Sequence, residues 1–492
     1  MTRSALLLTC VAALLTACEN GETLPPPAPP PAPPPAPAPL ATAPPAPPPA
    51  KLSRADFNRF AVRLDAPVFW AADTNGDGMP SRDEVRTLLF YPSSAAVDVD
   101  RAIASVLAYD PGALPAGLST DEVTRRRLVA DDLDQGSTSL IFTDLRAAAP
   151  ADKALVQHML TAARSLDAIY ATMRGATALA ARVPADDVAS QSLFRRDWGP
   201  GCVGAKTPKD STCSAIPGGA RPTNDAYPAA LQADRDFCAA LQKRPDAKAA
   251  MSDHFAVVRE KEGKLVAVPY REAYAEPMRA VAAELRAAAA DETDPAEGAL
   301  KAYLEAAAKS FTTNDWGPAD EAWSRMNAQN SRWYLRIAPD EVLADPCNLK
   351  AQFHLDLARI DQGSVRWQSK LTPLEQDMER ALASLVGAPY AARKVTFHLP
   401  DFIQIVFNAG DDRQPVGAVA GESLPNWGKV ETQGRGRTVA MTNIGTDPDS
   451  KAFARKRIES LLDAESAKAW TPDDEPALVG TILHEATHNL GP

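Results

Sequence analysis

A mainly α-helical protein with a smaller β core (α+β) is what this 492-residue sequence predicts. Three observations carry that expectation. Ala- and Leu-rich stretches repeat apolar residues at helical spacing through most of the chain after Lys51. β-Branched residues concentrate in only a few short stretches, "KLVAVPY", "KVTFHLPDFIQIVFNAG" and "RTVAMTNIG". The hydrophobic fraction of 45% is ample for more than one core.

Residues 1–17, within "MTRSALLLTCVAALLTAC", read as an export signal, with Arg3 as the short positive region and Ala5 to Leu15 as the apolar core. No run reaches the roughly 18 apolar residues that span a bilayer. The signal ends in Leu15-Thr16-Ala17-Cys18, which resembles a bacterial lipobox, in which the Cys is lipidated and becomes the first mature residue. Cys18 is therefore the expected anchor to a membrane of the bacterial cell envelope, facing periplasm or exterior. The alternative is an ordinary signal peptide that contains a Cys. Residues 18–50 continue as a Pro/Ala-rich stalk. Such a composition cannot build a core and favours extended polyproline II, on the order of 80 Å long for residues 25–50 at ~3.1 Å per residue.

Residues 51–110 contain "DTNGDGMPSRDE", Asp73 to Glu84. A hard cation wants six to eight oxygens, and carboxylates or amides at alternate loop positions, a Gly for the sharp turn and a terminal Glu supply them. The loop and its flanks resemble an EF-hand, with "FNRFAVRLDAPVFWAA" entering and "EVRTLLF" leaving as helices. By position Asp73, Asn75 and Asp77 are candidate Ca2+ ligands through side chains, Met79 through its carbonyl, Ser81 directly or through water, and Glu84 with both oxygens. Pro80 departs from the pattern, because it has no N–H for pairing with a partner loop. A single loop of this kind is expected to bind in the high-micromolar to millimolar range.

Residues 111–492 form the body. "PADKALVQHMLTAARSLDAIYATMRGATALAARV" predicts a long helix or a helical pair, and "YREAYAEPMRAVAAELRAAAA" and "AEGALKAYLEAAAKSF" predict further helices. An exported chain meets oxidising conditions, so cysteines are expected to pair. Cys202 and Cys213 flank a Gly/Pro/Ser-rich loop that closes easily. Cys238 with Cys347 is the default second pair, although four Cys allow three connectivities. A net charge of −11 and a pI near 5.2, without sustained basic stretches, argue against nucleic acid as a partner.

The chain ends in "TILHEATHNLGP". On a helix His484 and His488 share one face, a spacing that suits zinc, and Glu485 lies near enough to act as general base on a metal-bound water. "HEATHNLGP" resembles the HExxHxxGP variant of the dipeptidyl peptidase III-like metallopeptidases. "SRWYLRIAPDEVLADPCNLKAQFHLDLARI" looks like the family's Trp-Tyr-x-x-Ile-x-Pro-x-Glu segment, and "SLPNWG" resembles its Leu-Pro-Asn stretch. "GRGRTVAMTNI" sits where the family has a Gly-led strand ending in Asn.

The resemblance covers roughly residues 190–492. It implies a two-lobed, mainly helical body with a small β core, Zn2+ on His484 and His488, Glu485 as base, Asn426 in the substrate cleft and a peptide substrate cleaved from its N-terminus. The family's third zinc ligand is a Glu on a later helix, beyond Pro492. The body is therefore expected to be incomplete at its C-terminus and, as it stands, to bind zinc poorly. The alternative function is a non-catalytic calcium-binding surface lipoprotein. His158 lies in an Ala-rich helix and reads as packed or exposed, not as a ligand, and His254, His354 and His398 are isolated in the sequence and read as structural.

Overall fold

The computed structural model describes residues 52–87, 97–361, 363–395, 401–413, 421–473 and 475–487. Cys18, the Pro/Ala stalk, His398 and His488 lie outside the described residues, as does the side chain of Glu485.

Helix α1 (Arg54–Arg63) starts where the Ser53 hydroxyl accepts the Asp56 N–H at 3.1 Å. It stops where Asp65 adopts a φ of 56° and Pro67 bars continuation. Its Phe57, Phe60 and Ala61 form a small core with Val68, Trp70, Val85, Val99, Ile103 and Val106. The acidic loop lies between strands β1 (Val68–Trp70) and β2 (Val85–Thr87), which pair antiparallel with Trp70 opposite Val85. This corrects the expected exit helix at "EVRTLLF": its described part, Val85–Thr87, is strand. The pairing with β1 satisfies the backbone at the base of the loop, and Val85 is buried in the module core. Two of the three residues are β-branched, which suits the extended state. Helix α2 (Val99–Leu107) closes this module against α1.

The body is organised around α4 (Pro150–Met173), which follows α3 (Thr120–Leu133). Pro150 occupies the first turn of α4, where the missing N–H costs nothing. Leu155, Met159, Ala162, Leu166, Ile169 and Met173 repeat at helical spacing and are all buried. After α5 (Val188–Asp197) and the hairpin β3 (Ala256–Lys261) with β4 (Lys264–Pro269), α6 (Ala275–Asp291) packs along α4 and α7 (Gly298–Thr313) along α6. Ala282, Ala288 and Ala289 on α6 let those helices approach closely.

Beyond α8 (Gly317–Trp323) the chain builds a five-stranded sheet from β5 (Trp333–Glu341), β6 (Gln352–Asp361), β7 (Asp401–Gly410), β8 (Gly421–Leu424) and β9 (Arg437–Met441). Helices α9 (Gly363–Leu371) and α10 (Glu375–Val386) intervene between β6 and β7. The spatial order is β5-β6-β7-β9-β8, antiparallel throughout except for the parallel pair β7–β9. Helix α4 covers β6 and β7. The architecture is mainly α with a smaller β core, as the helical periodicity of the sequence predicts.

Two disulfides brace the body. Cys202 is joined to Cys213 and Cys238 to Cys347. The acidic-loop module is tied to the body by Arg54, which donates to Asp447 at 3.0 Å and pairs with Asp449 at 2.9 Å. Asp447 in turn caps α11 (Pro448–Leu461). None of the described helices is long and apolar enough to cross a membrane.

Candidate functional site

The acidic loop has a tightly hydrogen-bonded backbone. Asp73 accepts the N–H groups of Gly76 and Gly78 at 2.8 and 3.0 Å, Asn75 accepts that of Asp77, and Asp77 that of Met79. Glu84 accepts from the backbone and hydroxyl of Thr74, from Asn75 N–H, and from the backbone and hydroxyl of Ser81. Burial pushes the Glu84 carboxyl up, but these donors outweigh it and hold it down at about 2. Glu84 thus closes the loop onto itself. Among the described residues, no group of three metal-ligating side chains gathers Asp73, Asp77 and Glu84 together.

The described part of the terminal motif lies on α12 (Glu475–Thr487), which packs against β8 and β9. His484 is exposed on this helix. A catalytic zinc needs three protein ligands. Among the described residues no group of three His, Cys, Asp or Glu ligand atoms includes His484, and His488 lies outside them. A second group, Asp132 with Cys202 and Cys213, is no metal site either, because both sulfurs are spent in the disulfide.

Asn426 follows β8 and is exposed. Its amide donates to the Asp340 carbonyl at 3.1 Å and to Glu341 Oε1 at 2.8 Å, fastening the end of β8 to the end of β5. Trp427, the next residue, stacks on His254 with ring centroids 4.7 Å apart.

Most of the buried charge lies elsewhere. The period of two along a strand sends Leu335, Ile337, Leu355 and Leu357 to one face of the sheet. Arg336, His354 and Asp356 go to the other, with Arg336 opposite Asp356 in register and His354 opposite Gly410. His354 and Asp356 are fully buried. Asp412, just past β7, and Glu422, on β8, complete the group: one ligand atom from each of the four lies within 4.8 Å of all the others. This corrects the reading of His354 as isolated.

His354 Nε2 is 3.0 Å from Asp340 Oδ2, and Nδ1 is 3.3 Å from Asp412 Oδ2. Burial works against a charged imidazole here, but Asp412, Asp340 and Asp411 outweigh it and raise its pKa well above the usual histidine range. Burial together with Asp412 and Glu422 pushes the Asp356 carboxyl far up. Burial, reinforced by Asp412, takes Glu422 to about 8. The sequence signal for this cluster is slight: a His and an Asp two apart, alternating with Phe and Leu, in "QFHLDLARI".

No protein-family model matches the chain, and no curated protein matches it. Solved structures do. The structure of DPP III from Caldithrix abyssi matches with a TM-score of 0.62 and 25% identity, over 75% of this chain and 68% of that one. The structure of dipeptidyl-peptidase III from Corallococcus sp. strain EGB matches with a TM-score of 0.62 and 23% identity, over 75% and 67%. The fold is dipeptidyl-peptidase III-like. Within it, α12 with His484 lies against β8 and β9, and β8 also carries Glu422 and leads to Asn426.

Proposed function

We propose that the chain is the body of a zinc-dependent peptidase, carried on a lipid anchor at Cys18 outside the bacterial cytoplasm and stabilised by calcium in the Asp73–Glu84 loop. The observation that carries the reading is the placement of the His484-Glu485 helix against the sheet of a dipeptidyl-peptidase III-like fold. The named activity of both structural neighbours supports a peptide as substrate, shortened from its N-terminus. Zinc on His484 and His488, completed by a carboxylate, supplies a Lewis acid and an activated water when bound. By the resemblance of the HEATH and SLPNWG stretches, Glu485, between the two imidazoles in sequence, is assigned as the proton acceptor and Asn426 as a group that lines the substrate.

The test is dipeptide release from short oligopeptides by the zinc-loaded protein and by its Glu485→Gln variant. A loss of about 1000-fold with zinc content retained is expected. Unchanged hydrolysis would remove Glu485 from its role.

A second reading is a non-catalytic calcium-binding surface lipoprotein, supported by the EF-hand-like spacing of Asp73 to Glu84 and the lipobox-like Leu15 to Cys18. Metal analysis separates the two: calcium bound without stoichiometric zinc supports the second.

A further inference from the structure

We infer that His354, Asp356, Asp412 and Glu422 hold a divalent transition-metal ion inside the sheet, at a site separate from the His484-Glu485 helix. The inference rests on three observations and is independent of the peptidase reading.

The first is proximity. Ligand atoms from an imidazole and three carboxylates all lie within 4.8 Å of one another. Metal–ligand bonds of about 2.0–2.2 Å put opposite ligands up to roughly 4.4 Å apart, so only a slight contraction around an ion is needed.

The second is want of partners. Both oxygens of Asp356 and Oε1 of Glu422 are buried and have no hydrogen-bond donor among the described residues. Asp356 and His354 are fully buried. Carboxylates packed together without a donor or a cation are costly in a protein interior. Arg336, opposite Asp356 in register, is already committed, donating to Asp340 through two nitrogens and to Asp320 through the third. A divalent ion resolves the shortage with a single group.

The third is support. Asp340 sits 3.0 Å from Nε2 of His354, the arrangement in which a carboxylate orients a metal-ligating imidazole, and it leaves Nδ1 turned toward Asp412. Asp340 is itself held by Arg336, which lies over the Trp323 ring at 4.6 Å. His354 and Asp356 stand two apart on β6, Glu422 is on β8, and Asp412 follows Gly410 at the end of β7, so three strands fix the donors. An imidazole among carboxylates selects Mn2+, Fe2+, Co2+ or Zn2+ over Ca2+ and Mg2+, which prefer oxygen alone.

The experiment is a Co2+ titration of the full chain, followed by visible absorption and metal content. His484→Ala and His488→Ala remove the terminal imidazoles, and excess Ca2+ occupies the acidic loop. One equivalent of Co2+ with d–d absorption is expected. Asp356→Asn and Glu422→Gln should each weaken binding roughly 100-fold or more. Both substitutions are nearly isosteric and leave a neutral amide among the buried carboxyls, so the metal-free variants should keep their circular dichroism and their thermal midpoint. Absence of Co2+ binding, or binding indifferent to both substitutions, overturns the site. Should either variant fail to fold, anomalous diffraction from Co2+-loaded crystals of the unsubstituted chain decides. A peak among the four side chains supports the site, and no peak there refutes it.

Discussion

Arg336 and Asp340 form a double contact in the buried sheet, Nε to Oδ2 at 2.7 Å and Nη2 to Oδ1 at 2.5 Å. Burial would push the Asp340 carboxyl up, but Arg336 and His354 outweigh it and hold it below the ordinary range. Arg336 also satisfies Asp320 at 2.9 Å. Replacing Arg336 with Met strands two buried carboxylates, so we expect a loss of roughly 3–5 kcal/mol in urea unfolding. Adding Asp340→Asn and Asp320→Asn should recover much of it. A loss no larger in the single variant than in the triple one would show that the pair does not stabilise the sheet.

Gly410 ends β7 with a φ of +71°, and a Cβ there would lie 2.1 Å from the Phe353 carbonyl oxygen. That atom is backbone and cannot yield. Gly410→Ala should cost roughly 3 kcal/mol and displace Asp411 and Asp412, which follow it. Gly434 has a φ of +61° with open space around it, and its alanine variant should cost only about 1 kcal/mol. Thermal unfolding of the two variants measures the difference, which isolates the clash from the backbone strain.

His158 on α4 reaches Glu284 at 2.8 Å and Asp291 at 3.2 Å, both on α6. Burial lowers its pKa, but the two carboxylates outweigh burial and the net shift is upward. A histidine raised in the folded state contributes stability that is complete below its unfolded pKa, about 6.5, and is lost as pH climbs through the folded value. His158→Gln should therefore cost roughly 0.2–1 kcal/mol at pH 5.5 and less at pH 9. Stability measured across that range checks the sign, and an equal cost at both ends would exclude the pairing.

The disulfides differ in the loops they close. Cys202–Cys213 spans 11 residues and Cys238–Cys347 spans 109. On the chain-entropy account the longer closure is worth about 4.8 kcal/mol and the shorter about 2.8. Double Ser variants of each pair should differ by about 2 kcal/mol in unfolding free energy. Equal losses would mean that local strain or residual structure dominates.

The acidic loop carries a prediction of its own. Calcium should raise the thermal midpoint with an apparent Kd on the order of 10⁻⁴–10⁻³ M, and Glu84→Gln should abolish the effect. Because the Glu84 carboxyl is held near 2, its hydrogen bonds to Thr74, Asn75 and Ser81 persist at pH 4 and fail only as the pH falls through that value. A Ca2+ response retained by the Gln variant would place the ion elsewhere.

Local periodicity made the helices legible. In α4, α6 and α7 the apolar stripe and the burial coincide, because a helix shows its buried face in residues three and four apart. The short exit segment at Val85–Thr87 was misread for the complementary reason. Over so few residues no periodicity reports the pairing with β1 that fixes the extended state.

By itself, then, the sequence determined the helical weight of the fold, the acidic loop pattern and the His-Glu-His spacing, each a property of neighbours along the chain. Only the tertiary structure decided that His354 and Asp356 share a buried face with Asp412 and Glu422, and that Arg336 is spent on Asp340 and Asp320. The four donors come from β6, β8 and the end of β7, with α9 and α10 inserted between β6 and β7, and Asp320 reaches Arg336 from α8. The free energy of a buried charge depends on what the folded chain brings beside it, and spacing in the sequence does not carry that information.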